Sequence, residues 1–175
     1  ERTCGIGVID RDTAVRWGVT GPGLRAAGVD WDLRRDAPYS VYDRFDFDVP
    51  HGESGIAGVL GDCFQRHWIR AKEVEQSVRI VRQALAQMPE GPVMANLPKS
   101  FRPAAGEVYE RGENPRGELA CYFVSEGKDT AYRCRCRGPS YSNIAVITEV
   151  AEGVLIADLV ALIGSMDIVL GEVDR

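Results

Sequence analysis

Five cysteines (Cys4, Cys63, Cys121, Cys134 and Cys136) and two histidines (His51 and His67) are the candidate soft and borderline metal ligands of this chain. Their spacing is not that of a metal centre, because no C-x-x-C occurs and only two histidines exist to complete a site. An odd cysteine count at irregular intervals does not read as a secreted disulfide framework either. Reduced, half-buried thiols of a cytosolic protein are the expectation, since free cysteine packs as a small hydrophobe. Cys134 and Cys136 fall in an alternating stretch, so both thiols should face one side of a strand. Arg34-Arg35 ahead of Pro38-Tyr39 reads either as an anion or partner contact or as a solvated loop. Gly5-Ile6-Gly7 lacks the third glycine and the strand–glycine–helix unit of a dinucleotide fingerprint. It reads instead as a tight loop where backbone passes close to backbone.

The whole chain must position these groups with one domain's length, 175 residues. A hydrophobic fraction of 45% is enough to build a core, and disorder is not expected. Twenty-one basic against 26 acidic residues leave a net charge of −5, which argues against a nucleic-acid binder and its basic footprint. No apolar run approaches the roughly 20 residues of a spanning helix, so no bilayer crossing is expected. No charged-then-apolar leader is read, and the first residue is Glu1, so a piece of a longer protein is expected.

The clearest element is a helix over 62–88, capped by Asp62 and stopped by Pro89-Glu90-Gly91-Pro92. Phe64, Trp68, Ala71, Val74, Val78, Val81, Leu85 and Met88 advance by three or four, predicting one apolar stripe. His67, beside that stripe, is expected to be an ordinary hydrogen-bonded histidine. Upstream, a short helix is predicted over 12–17, and Phe45 to Val49 alternates like a strand. A glycine-rich linker follows from Gly52 to Gly61, and 92–106 reads as an irregular crossing segment. Strands are predicted over 118–124 and 130–137, joined by a glycine-bearing turn. Arg133, Arg135 and Arg137 share one strand face, either a solvated edge or a surface for an acidic partner. Two short helices follow, near 142–150 and 155–163. The apolar run in the last eleven residues suggests a buried or docked terminus.

Several strings in one order resemble a known family. They are Arg2-Thr3 with Gly5-Ile6-Gly7, Gly21-Pro22 with Leu24-Arg25-Ala26, and Arg34-Arg35 with Pro38-Tyr39. Gly61-Asp62 with Arg66, Pro115-Arg116-Gly117-Glu118, Pro139-Ser140-Tyr141 and Gly171-Glu172-Val173-Asp174-Arg175 complete the set. Together they are similar to the C-terminal half of the D-type, large subunit of NADH–quinone oxidoreductase (respiratory complex I). The resemblance implies an α+β fold like that of the [NiFe]-hydrogenase large subunit: a long central helix, a small antiparallel β-hairpin region and C-terminal helices. It treats residues 1–175 as one C-terminal portion, whose N-terminal half would supply the histidine and tyrosine held to grip the quinone headgroup. It also implies a proton-translocating subunit, inactive alone, peripheral to the cytoplasmic face of the cell membrane or the matrix face of the inner mitochondrial membrane. The expected partners are the iron–sulfur subunit carrying the terminal cluster and a membrane-arm subunit at the quinone entry, with no nucleic acid. One departure stands out, because only the fourteen largely irregular residues 92–105 join Gly91 to Gly106, where the family usually carries an extra helical stretch. That short connection looks more like the membrane-bound energy-converting hydrogenases and their nickel-free relatives.

Hydrogenase large subunits end near Asp-Pro-Cys-x-x-Cys, whose thiolates bind nickel. Laid on this chain, Asp167 takes the Asp position, and Val169 and Glu172 stand where the cysteines would be. No nickel is therefore expected, and a quinone in a shared site is the implied cofactor, with the iron–sulfur cluster only in a neighbouring subunit. On the resemblance, Asp167 and Arg116 are the catalytic candidates: Asp167 to relay a proton if buried, Arg116 to balance charge on a reduced quinone. Met166, Val169, Asp174 and Arg175 are the quinone-binding candidates. A plain ion pair fixing the tail remains an equal reading of Asp167 with Arg175, and Glu113 or Glu118 is a ready partner for Arg116. The readings left open are a complex I subunit, a nickel-free subunit of an energy-converting complex with another electron donor, and an inactive scaffold fragment.

Overall fold

The computed structural model describes residues 2–96, 98 and 100–174. Helices α1 (Arg11–Arg16), α2 (Pro22–Ala26) and α3 (Leu33–Asp36) are followed by a 3-10 turn, Tyr42–Arg44, and the long helix α4 (Cys63–Ala86). Then come β1 (Gly106–Asn114), β2 (Gly117–Ser125) and β3 (Arg133–Arg137). Helices α5 (Pro139–Ala145), α6 (Ile147–Val150), α7 (Ile156–Met166) and α8 (Leu170–Val173) close the chain. The strands form one antiparallel sheet in the order β1-β2-β3, so the α+β arrangement of one long helix, a small sheet and C-terminal helices holds.

The expected ends of α4 are found within two residues. The Asp62 carboxylate accepts from the Gln65 amide at 2.8 Å, satisfying one of the free donors of the first turn. The expected apolar stripe, however, does not face the core. Val74, Val78, Val81, Leu85 and Met88 are exposed, whereas Cys63, Gln65, Arg66 and Ile69 are buried. The core is built from other elements, where Ile9, Ala14, Val19, Leu24, Ala27, Val146 and Met166 pack together. His67 is exposed rather than seated beside a buried stripe.

The segment 45–49 is extended but belongs to no sheet. Glutamines of α4 take the place of a neighbouring strand: Gln83 Oε1 accepts from the Asp46 amide at 2.8 Å, and Gln76 Oε1 accepts from the Asp48 amide at 3.0 Å. Gln83 Nε2 also donates to the Asp46 carbonyl at 2.7 Å. Since backbone donors need some partner, side chains suffice here. The strand over Gly106–Asn114 was not expected. Its sequence is charged and glycine-flanked and most of its residues are exposed, so it shows no alternation. It pairs with β2 from Gly106↔Ser125 to Asn114↔Gly117, leaving Pro115-Arg116 as a two-residue turn. The predicted strand over 130–137 is ordered as a strand only from Arg133, and the predicted 142–150 helix is split into α5 and α6.

Candidate functional site

The strings that carried the resemblance converge in space. Gly21 and Gly117 cross at closest backbone approach: a Cβ on Gly21 would lie 2.4 Å from the Gly117 Cα, and one on Gly117 would lie 2.4 Å from Thr20 Oγ1. Both glycines also hold positive φ, +66° and +133°, so two separate constraints exclude a side chain there. Thr20 Oγ1 accepts from the Glu118 amide at 3.1 Å. Asn143 of α5 bridges the crossing, its Oδ1 accepting from the Thr20 amide at 3.1 Å and its Nδ2 donating to the Arg116 carbonyl at 3.0 Å. These contacts fix the turn that presents Arg116.

Three arginines meet the C-terminal end of α7. Arg66, fully buried, donates to Ser165 Oγ at 2.9 Å, to the Gly7 carbonyl at 3.0 Å, and to the Gly61 carbonyl. Burial pushes its pKa down, partly offset by Cys63 and Asp62, but a guanidinium stays charged and its fixed fork suits three oxygen acceptors in different directions. Arg70 donates to the Ser165 carbonyl at 2.7 Å. Arg116 Nε donates to the Asp167 carbonyl at 2.7 Å, and its Nη2 lies 3.4 Å from Asp167 Oδ1. Cations at the end of a helix complement its negative pole and satisfy its free carbonyls. Asp167 itself caps α7 in the left-handed region, φ +53°, a conformation that costs a non-glycine residue about 1–2 kcal/mol. Such positions persist where the surroundings hold them, and they concentrate at functional sites.

Beside Asp167 opens a cleft of about 350 Å³, lined by Arg70, Val74, Glu113, Pro115 and Asp167 among others. Its floor is a buried charge cluster. Arg25, 2% exposed, reaches Glu73 at 2.7 Å, Glu113 at 2.9 Å and Asp32 at 3.5 Å. Arg34 grips Asp32 at 2.6 Å. Burial alone would raise the Asp32 pKa, but hydrogen bonds from Arg34 and the charges of Arg25 and Arg34 together hold it down. Glu113 goes the other way: its burial pushes its pKa up against the pull of Arg25, with the Asp32 charge adding to the rise. Arg70 Nε is buried and has no hydrogen-bond partner among the described residues.

The structure brings Asp167 and Arg116 together, and neither Glu113 nor Glu118 is the partner of Arg116. Glu113 serves Arg25, and Glu118 lies 3.5 Å from both Arg111 and Arg137. Arg34 and Arg35 meet this chain's own carboxylates, Asp32 for one and Asp30 and Asp36 for the other. The Asp167 side chain is 47% exposed, so the burial expected of a proton-relaying carboxyl is not provided by this chain. Met166 is 2% exposed and packs in the core, away from the cleft. Val169 and Asp174 are exposed, at the two ends of α8, and Arg175 lies outside the described residues. The terminus is docked partly by its apolar run, with Met166 in the core and Ile168 packed against it, and partly by a charge. Glu172 accepts from the Ser140 amide at 3.0 Å and from Ser140 Oγ at 2.8 Å, while Leu170 is 68% exposed. Gly138 leaves room for this clip, since a Cβ there would overlap Glu172. Arg70, Glu73 and Asn143 were missed from sequence, and Arg25 and Ser140 stood only within the family strings with no role assigned; the Pro139-Ser140 helix start opposite a terminal glutamate was the one local signal available.

The sequence profile of the respiratory-chain NADH dehydrogenase 49-kDa subunit matches residues 1–104 and 96–175. This chain belongs to that family. The two matched segments meet in the short connection between α4 and β1. The D-type subunit of NADH-quinone oxidoreductase from Chlorobaculum tepidum is 52% identical over 179 residues, covering 100% of this chain and 44% of the relative. Its counterpart from Dehalococcoides mccartyi is 49% identical over 174 residues, 99% of this chain and 46% of the relative. A D-type subunit of NADH-quinone oxidoreductase from Anaeromyxobacter dehalogenans is 46% identical over 175 residues, 100% of this chain and 46% of the relative. The chain therefore spans less than half the length of the curated relatives it matches. No described helix of this 49-kDa-family chain is long and apolar enough to cross a membrane.

Proposed function

We propose that this chain supplies one wall of the quinone-reduction site of a proton-translocating NADH–quinone oxidoreductase, active only within the assembled complex. The iron–sulfur cluster that delivers electrons is held by a neighbouring subunit, and the complex sits at the cytoplasmic or matrix face of an energy-coupling membrane with a membrane-arm subunit at the quinone entry. Family membership supports the class of complex, and the cleft beside Asp167 supports the place. The observation that carries it is Arg70, whose Nε is buried without a partner among the described residues while the residue lines a cleft that Asp167 also lines. A buried donor left unmade is costly, and a turn of the Arg70 side chain toward the cleft it lines would let an acceptor there relieve it. The residues present therefore fit a ring bearing carbonyl oxygens, with Val74 and Pro115 as apolar wall.

When bound, a quinone supplies two-electron, two-proton acceptance. This chain's residues do the rest. Arg116 and Arg70 hold positive charge at the end of α7 and favour negative charge building on a nearby acceptor. Asp167, anchored through its carbonyl, keeps a carboxylate at the mouth where a proton can be taken or handed on. Val169, two residues beyond Asp167 and outside the cleft lining, is 37% exposed and offers an apolar surface to a ring that extends past Asp167.

Asp167→Asn in the assembled complex should lower kcat for quinone reduction by about 10²-fold or more, the usual scale for removing a general acid, with NADH oxidation by an artificial acceptor unchanged. Val169→Met should shift the curve of a quinone-site inhibitor. Normal kcat in the first and an unmoved curve in the second would remove the assignment. A nickel-free energy-converting complex using ferredoxin or another donor is the second reading, which genes for an NADH-binding flavoprotein beside this one would exclude. The short 92–105 connection does not favour it, because D-type NADH-quinone oxidoreductase subunits align with this chain at almost its own length.

A further inference from the structure

Three of the five cysteines stand on one face of the sheet. Cys121 of β2 lies directly opposite Cys136 of β3, and their sulfurs are 3.5 Å apart. Cys134, two residues before Cys136, shares that face. Strand β3 is the sheet's edge, and a groove of about 910 Å³ runs beside it, lined by Cys134, Cys136, Tyr141 and Val173. Directly opposed residues of an antiparallel pair have Cα atoms about 4.5–5.5 Å apart, inside the span of roughly 4.4–6.8 Å that a disulfide accepts. Closing the bond needs side-chain rotation and no backbone shift.

We propose that Cys121 and Cys136 are a reversible dithiol pair that a hydroperoxide, entering by the β3 groove, oxidises to a cross-strand disulfide. The groove meets Cys136, so its thiolate attacks a peroxide oxygen; the O–O bond breaks, and with one proton the leaving oxygen departs as water or alcohol. Cys136 is then a sulfenic acid. The Cys121 thiolate attacks that sulfur, the S–S bond forms, and hydroxide leaves and takes a proton to give water. Two thiols supply the two electrons that the peroxide bond accepts. Proximity makes the second step fast, ahead of over-oxidation to the sulfinic acid. Cys134 is a bystander by geometry: Cys121 is the thiol directly opposite Cys136 and in contact with it, whereas Cys134 stands two residues along the same strand, opposite Phe123. A disulfide on an exposed edge strand is of the labile kind that cellular dithiols reduce again. It would pin the strand carrying Arg137, which donates to the Gly18 carbonyl at 3.3 Å and lies 3.5 Å from Glu118 beside the glycine crossing.

The test uses the assembled complex, hydrogen peroxide as the probe, alkylation of remaining thiols, digestion without reductant and mass spectrometry. The expected product is a linked pair of peptides joining Cys121 to Cys136, lighter by two hydrogens and separated by dithiothreitol. Cys134→Ser should leave that link intact, and Cys121→Ser should abolish it and drive Cys136 to sulfinic acid. Recovery of Cys121 and Cys136 as alkylated thiols after peroxide would overturn the proposal. A link between Cys134 and Cys136 in place of the cross-strand one would overturn it equally.

Discussion

The two halves of α4 use their side chains in opposite ways. In its first two turns Gln65 and Arg66 are buried together with Cys63 and Ile69, while further along Val74, Val81 and Leu85 are more than half exposed. Hydropathy alone would reverse that assignment. The buried half lies where the Gly7 and Gly61 loops and the end of α7 meet, and their carbonyls must find donors. An arginine fork satisfies two of those carbonyls and the Ser165 hydroxyl at once, which no apolar side chain can do. The exposed half is crossed only at the surface, by the extended segment 45–49, whose Asp46 and Asp48 amides are met by the long side chains of Gln83 and Gln76 rather than by anything buried. Burial here follows backbone demand first and hydrophobicity second.

The sharpest way to break the comparison is Arg25, the most heavily paired cation of the buried side. Three carboxylates depend on it, at 2.7, 2.9 and 3.5 Å. Arg25→Met keeps much of the volume but leaves the charges of Glu73 and Glu113 without that partner, while Asp32 retains Arg34. Removing one partner of a buried ion pair costs about 3–5 kcal/mol. The full-length subunit carrying Arg25→Met should therefore lose most of its unfolding free energy in urea, and fail to assemble at growth temperature. A change below about 1 kcal/mol would show the cluster to be solvated and merely decorative.

That cluster was the least legible part of the chain. Arg25 and Glu113 are ordinary charged residues in sequence, and only the fold brings α2, α4 and β1 to one point. The ends of α4 were legible, because Asp62 caps and Pro89 stops through local chemistry. Two of three strands were legible from alternation. The third, β1, was not, because most of its residues face solvent and its pattern carries no period. The reverse error occurred at 45–49, where a true period of two met Gln76 and Gln83 instead of a strand. At the candidate site, the order of short strings located Asp167 and Arg116. Sequence could not show that Met166 turns inward, or that Glu172 is spent on holding Ser140.

A second, smaller effect sharpens the buried side by pH. The Asp32 pKa is held below the ordinary 3.8, so the unfolded chain binds this proton at higher pH than the folded one. Stability from Asp32 is thus present above 3.8 and lost as pH falls through its depressed folded value. Asp32→Asn should be destabilised at neutral pH, and the gap to the parent should close only below that value in urea melts of the full-length subunit. A gap that stays constant into acid would assign the loss to hydrogen bonds with Arg34 rather than to charge.

The smallest effect belongs to the exposed half of α4. Val81 is 55% exposed and lies three residues from Val78, on the same open face. In this chain alone Val81→Ser removes no buried contact, so the change should stay within about 0.5 kcal/mol, the range of surface substitutions. Serine and valine also differ little in helix propensity. The same substitution in the full-length subunit separates two accounts of the stripe. If the remaining half of the subunit covers it, serine there buries a hydroxyl and deletes packed methyl groups, and the loss should rise to about 1–3 kcal/mol, the scale of a core change. If the effect stays small in both, the stripe faces water in the assembled subunit as well. Arg25→Met and Val81→Ser would then still stand at opposite extremes, which is the ordering that backbone demand, rather than hydropathy, requires.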